Sequence, residues 1–234
     1  MASRKKGQKK KTGKRKRRRV LVTVLICIVC VIALVFIVRG ARNYRAKVEE
    51  QRLVEEEQQR EDRIAAAEPE LDIDLLTIND YSRPGIEMQQ IDGIVIHYTA
   101  NPGTSAIANR NYFENLKDTH EAKASAHFVV GLEGEIVQCI PTAEIAYASN
   151  TRNTDTVAIE CCYENEDGSF NQATYDATVD LAAWLCAREG LSANDVMRHY
   201  DITGKLCPLY YVEHPEAWTQ FQEDVAERID EILE

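Results

Sequence analysis

The longest apolar run in the chain is Val20 to Val38, nineteen residues interrupted only by Thr23. As a helix at 1.5 Å per residue it is roughly 28 Å long, close to the thickness of a hydrocarbon core, so the pattern predicts one transmembrane helix over 20–38. A secretory signal has a shorter apolar segment and a small-residue cleavage site, whereas this run exits into the charged Val38-Arg39-Gly40-Ala41-Arg42. Residues 39–69 follow, rich in Glu, Gln, Arg and Ala, with scattered apolar positions at Tyr44, Val48, Leu53, Val54 and Ile64. These hold no sustained heptad, so the spacing predicts a solvated helical stalk ended by Pro69 rather than a coiled coil.

From 70 to 234 the pattern is that of a folded domain. Leu71 to Ile78 and the turn Ser82-Arg83-Pro84-Gly85 form a lead-in. Ile91 to Thr99 is almost continuously apolar, the mark of a strand buried on both faces. Pro102 and Gly103 break it, and Thr104 or Ser105 can cap a helix carrying Ala108, Tyr112, Phe113 and Leu116. Strands over 124–130 and 135–140 flank Gly131-Leu132-Glu133-Gly134 as a hairpin, and 156–163 reads as another strand. Helical spacing recurs over 172–189, stopped by Gly190, and over 215–233 through Trp218, Phe221, Val225, Ile229 and Ile232. Strands and helices interleave without internal repeats, so the expected class is α/β, a central mixed sheet flanked by helices.

Charge sharpens the division. The formal net charge is −10, but residues 1–19 hold twelve Lys or Arg and no acid, and the remaining sixteen bases face all 38 acids. A basic cluster next to an apolar span stays cytoplasmic by the positive-inside rule, which puts the C-terminal domain outside a single-pass membrane protein. Contact with anionic lipid is the natural use of such a tail, and no nucleic-acid partner is expected. Nothing in the sequence asks for more than a monomer.

Candidate chemistry gathers in Arg198-His199-Tyr200-Asp201-Ile202-Thr203-Gly204-Lys205-Leu206-Cys207-Pro208. His and Cys are the side chains zinc prefers, and a catalytic zinc takes three protein ligands and keeps a position open. His199 and Cys207 supply two, and His97, emerging from the apolar Ile94-Val95-Ile96, is the upstream candidate for the third. Any one of these alone reads equally as packing or surface. Glu160 interrupts the apolar Val157-Ala158-Ile159, and a carboxylate there has either a partner, a task, or a solvent-facing side of the strand. Spacing leaves these alternatives open.

Taken together, "IVIHYTA" around His97, "SAHFVVG" at 125–131, "TVAIE" ending at Glu160 and "RHYDITGKLCP" at 198–208 resemble the zinc-dependent N-acetylmuramoyl-L-alanine amidases of the type 2 superfamily, which includes the peptidoglycan recognition proteins. The resemblance runs over residues 72–232. It implies zinc on His97, His199 and Cys207, with Glu160 as general base and Lys205 stabilising the oxyanion. It implies hydrolysis of the amide between the lactyl group of N-acetylmuramic acid and L-alanine of the peptidoglycan stem, at the outer side of the membrane. His127, Tyr98 and Asn150 are the expected residues of the substrate site, His127 through pocket shape or hydrogen bonding rather than metal binding, and many relatives carry a histidine where this chain has Ala146-Tyr147-Ala148-Ser149-Asn150. His120 and His214 match no family position and are expected at the surface. The same fold also serves as a non-catalytic wall-binding sensor, a form in which a metal ligand is commonly lost. Cys139, Cys161, Cys162 and Cys186 allow three disulfide pairings or free thiols, while Cys27 and Cys30 fall in the membrane helix.

Overall fold

The computed structural model describes residues 3–234, with side chains from Lys14 onward. Two compact units are resolved, Met1–Gln59 and Arg60–Glu234. The first consists, over its described length, of helix α1 (Ser3–Ala66) up to Gln59. Every side chain from Val20 to Val38 is exposed there, and the helix contains a window of mean hydropathy 3.5. By length and composition it is a candidate membrane span.

In the second unit, the last turns of α1 are part of the packed core. Ile64 is 7% exposed and belongs to the larger apolar cluster. Its carbonyl accepts from Trp184 Nε1 at 3.1 Å, and Arg60 Nη2 donates to the Ala187 carbonyl at 2.8 Å. The compact unit therefore takes in residues that the periodicity assigned to a solvated helix, because the partner surface lies some 120 positions away in sequence.

The sheet has six strands in the order β1-β4-β3-β5-β2-β6: β1 (Leu71–Ile73), β2 (Ile94–Tyr98), β3 (Phe128–Val130), β4 (Ile136–Gln138), β5 (Val157–Cys161) and β6 (Val196–Arg198). Only the β3–β4 hairpin is antiparallel, so the sheet is mixed, as the interleaved pattern predicted. The strands are shorter than their apolar runs, because flanking apolar residues continue into loops that still pack. β1 and β6, three residues each, carry no alternation long enough to be read from sequence.

Helices cover both faces. On one, Ile94, Ile96, Phe128, Val130, Val157 and Ile159 pack with α3 (Gln172–Glu189) and α6 (Pro215–Leu233). The α3 helix is capped by Asn171, whose side chain accepts from the Thr174 amide, and ends on Gly190 in the left-handed region that glycine adopts without strain. α6 buries Trp218, Phe221, Val225, Ile229 and Ile232 at three- and four-residue spacing. Burying each such side chain contributes roughly 1.5–3 kcal/mol. On the other face Val129, Val137 and Ala158 pack with α2 (Ala106–Thr119) through Phe113 and Leu116. The cysteines are all free, and Cys139, Cys161, Cys162 and Cys186 are buried thiols.

Candidate metal centre

Side chains alternate along a strand, so His97 and Glu160 leave the sheet on the face opposite Ile96 and Ile159. β2 and β5 are parallel and in register with His97 beside Glu160, both near the carboxyl ends of their strands. The carboxyl ends of parallel strands are where such sheets usually place their ligands.

The segment after β6 delivers the other groups. His199 opens the short helix α4 (His199–Thr203), where the Asp201 carboxylate accepts from the Arg198 amide and side chain. Gly204, at φ 76°, closes the turn in the left-handed region, with its amide donating to the Tyr200 carbonyl. The chain then doubles back, and the Tyr200 amide donates to the Cys207 carbonyl at 3.0 Å. One turn and one reversal explain why residues eight apart end up side by side.

Ligand atoms of His97, His199 and Cys207 all lie within 4.8 Å of one another, and all three residues are buried. Cys207 Sγ is 3.8 Å from His97 Nδ1, and the two imidazole centroids are 4.6 Å apart. Both ring nitrogens of His199 are sealed from solvent and lack a hydrogen-bond partner, as does Glu160 Oε2. A buried polar atom without a partner costs about 1–3 kcal/mol, so a His199 nitrogen left unpaired beside His97 and Cys207 asks for a group that satisfies it. Two imidazoles and a thiol are a donor set suited to a soft or borderline divalent cation, zinc above all.

The electrostatics agree. Burial pushes His97 well below the ordinary histidine range, helped by the charges of His199 and Lys205, and lowers His199 in the same way. Neutral imidazoles are the form that binds metal. Burial raises the Cys207 thiol to about 12, against the pull of a Tyr98 backbone hydrogen bond and Lys205. Burial also lifts Glu160 to about 8, with Lys205 opposing. A cation held by the three ligands acts in the same sense as Lys205 and favours thiolate and carboxylate.

The remaining expected residues are dispersed. Lys205 is exposed, yet its charge is felt at all four of these groups. Tyr98 is partly exposed, its ring 5.1 Å from that of Tyr163. Asn150 is exposed at φ 52°, opening a 3-10 turn over Asn150–Arg152. His127 is fully buried, so its place is that of a hydrogen-bonding residue behind the site and not of an exposed contact. Its Nδ1 accepts from the Ala158 amide at 2.9 Å, which leaves Nε2 to donate to the Glu144 carbonyl at 2.8 Å. His120 is exposed and stacks on Tyr81, while His214 is half-buried against Tyr210. Ser149, which sequence reasoning did not single out, is 1% exposed with Oγ 3.4 Å from His97 Nε2.

Known proteins resemble this chain in sequence and fold. Residues 87–209 match the family described as N-acetylmuramoyl-L-alanine amidase. The chain is 37% identical over 161 residues to the N-acetylmuramoyl-L-alanine amidase CwlL of Bacillus licheniformis, covering 63% of this chain and 44% of that one. It is 34% identical over 171 residues to BlyA of Bacillus subtilis, covering 64% and 45%. The chain thus spans less than half the length of the curated relatives it matches. Among solved structures, the catalytic domain of XlyA superposes with a TM-score of 0.57 at 29% identity, covering 67% of this chain and 99% of that one. PlyL shares the fold, with a TM-score of 0.60 at 22% identity over 68% of this chain and 99% of its own. With the family match alone extending over more than half of its residues, the chain belongs to the type 2 N-acetylmuramoyl-L-alanine amidase family.

Proposed function

We propose that this chain is a membrane-anchored, zinc-dependent peptidoglycan hydrolase that cleaves the amide between N-acetylmuramic acid and L-alanine of the stem peptide. The observation that carries the reading is the buried cluster of His97, His199 and Cys207 within 4.8 Å, with His199 otherwise unpartnered. These three residues would hold the ion. Zinc bound there supplies a Lewis acid for the amide carbonyl and makes water acidic enough to attack near neutral pH.

The chain's own groups do the rest. Glu160, in register beside His97, accepts a proton from the attacking water through its unpartnered Oε2 and returns it to the leaving nitrogen. Lys205 contributes positive charge that gains value only as the carbonyl oxygen becomes anionic. Tyr98, partly exposed, and Asn150, exposed, remain the proposed substrate contacts.

For the anchor, residues 1–19 form a cytoplasmic basic tail, 20–38 the span and 39–69 a helical stalk whose last turns, from Arg60, pack into the amidase domain of 70–234, which works outside the membrane. The exposed apolar run and the twelve basic residues before it support this topology. It puts the domain in the compartment that holds its substrate.

The test uses full-length protein purified in detergent and assayed for release of stem peptide from purified peptidoglycan. Wild type should carry stoichiometric zinc and lose activity to a chelator. Cys207→Ser should purify with little zinc and little activity. Cleavage by a zinc-free preparation, or a disulfide at Cys207 in active enzyme, would overturn the reading. Zinc-loaded protein that binds the wall without releasing peptide would be a sensor instead.

A further inference from the structure

The imidazole of His97 has two nitrogens in different surroundings. Nδ1 faces Cys207 Sγ at 3.8 Å, inside the ligand cluster, and Nε2 faces Ser149 Oγ at 3.4 Å. We propose that Ser149 is a positioning residue for the metal centre, fixing the orientation and tautomer of His97 so that Nδ1 is the nitrogen offered to zinc. The proposal deepens the zinc-amidase reading and rests on it.

The chemistry follows from proton counting. An imidazole that gives Nδ1 to a cation carries its hydrogen on Nε2, and that hydrogen needs an acceptor inside the protein. Ser149 is 1% exposed and His97 2%, so water is not on hand to serve. The Ser149 hydroxyl oxygen accepts, and its own hydrogen stays free to turn away. A ring flip would set Nε2 toward Cys207 and leave Nδ1 facing the serine, breaking the arrangement in which all three ligand atoms lie together.

Ser149 is itself held by design of the loop. Asn153 Oδ1 accepts from the amides of both Ala148 and Ser149, closing the 3-10 turn that follows. Further on, the Thr156 hydroxyl donates to the Arg152 carbonyl, and Arg152 bridges Asp155 at 2.8 Å. The loop is thereby tied down immediately before β5, the strand that carries Glu160. One segment thus supports both the first ligand and the proposed base.

The experiment compares zinc affinity of full-length wild type and Ser149→Ala in detergent by competition with a chromophoric chelator, alongside the thermal midpoint of each metal-free protein. S149A should bind zinc about 10- to 100-fold more weakly, the usual scale for losing a partner of a ligating histidine. Its metal-free midpoint should fall by only a few degrees, the scale of one lost buried hydrogen bond, with the metal-free fold retained. Equal zinc affinity in the two proteins overturns the role of Ser149 while leaving the zinc reading intact. An S149A protein whose metal-free fold collapses assigns Ser149 to packing and overturns it as well. Wild type that binds no zinc removes both.

Discussion

The two faces of the β2–β5 pair are both closed to solvent and use that closure differently. On the side of α3 and α6, Ile94, Ile96, Val157 and Ile159 belong to the larger apolar cluster. On the other side, one residue along each strand, His97 and Glu160 stand among polar groups whose partners are incomplete. The same backbone register builds both, since a two-residue period assigns odd and even positions to opposite environments. Stability is concentrated on one face and unspent binding capacity on the other. A substitution on one face should therefore leave the property of the other largely untouched.

The largest expected separation comes from Glu160→Gln. The amide keeps the size of the side chain but cannot take a proton, so turnover should fall about 10²- to 10⁴-fold. Zinc content and thermal midpoint should stay at wild-type levels, or the midpoint should rise, because an ionisable group without a partner is removed from a buried position. Activity near wild type would take Glu160 out of the mechanism. Loss of zinc together with activity would make it part of the metal site instead of its neighbour.

Phe221→Ala probes the opposite face. Phe221 is 1% exposed on α6, stacked on Trp218 at 5.2 Å and edge-on to Tyr175 at 5.6 Å. Truncation should cost roughly 3–5 kcal/mol by lost burial and the cavity left behind. Denaturant unfolding measures that loss. Zinc affinity and turnover per folded molecule should not change, and a parallel fall in either would show that the two faces are mechanically coupled.

How much of this was legible in the sequence follows the same division. The apolar face was read well: α3 and α6 appear over 172–189 and 215–233, the spans the helical spacing gave, because long amphipathic helices repeat their signal. Three-residue β6 and the five-residue helices α4 and α5 (Leu209–Glu213) repeat nothing and were invisible. Ile64 looked like a stray apolar residue in a charged helix, since no local pattern shows that Trp184 receives it. The polar face was legible only as residue types. His97, His199 and Cys207 stood out because zinc chemistry is selective, whereas Ser149 did not, serine being common in loops. Its only sequence signal was negative, a place in a segment lacking a histidine that relatives carry. His127 was legible only as a pocket-shaping or hydrogen-bonding residue for a related reason: a histidine within an apolar run looks the same whether its nitrogens face a ligand or a backbone.

His127 sharpens the comparison within the polar face itself, since it is as buried as His199 but has both nitrogens engaged. It should behave as structure. Burial depresses it to about 4, with the Glu144 carbonyl opposing, from an ordinary value near 6.5. Between those values the unfolded chain binds a proton that the folded protein refuses. Stability from this group is therefore complete above about pH 6.5 and is lost as pH falls toward 4, a change of roughly 3 kcal/mol. In His127→Gln the side chain no longer titrates. The variant loses some stability at every pH through its altered hydrogen bonds, but its slope over that interval should be shallower than that of wild type by the same roughly 3 kcal/mol. Urea unfolding of the metal-free proteins in detergent at several pH values gives the difference directly, with the other histidines and the carboxylates common to both. Zinc affinity at neutral pH should be unchanged, which distinguishes His127 from the histidines of the metal centre. Equal slopes would mean that His127 takes up its proton in the folded state, and that its two backbone partners do not hold it neutral.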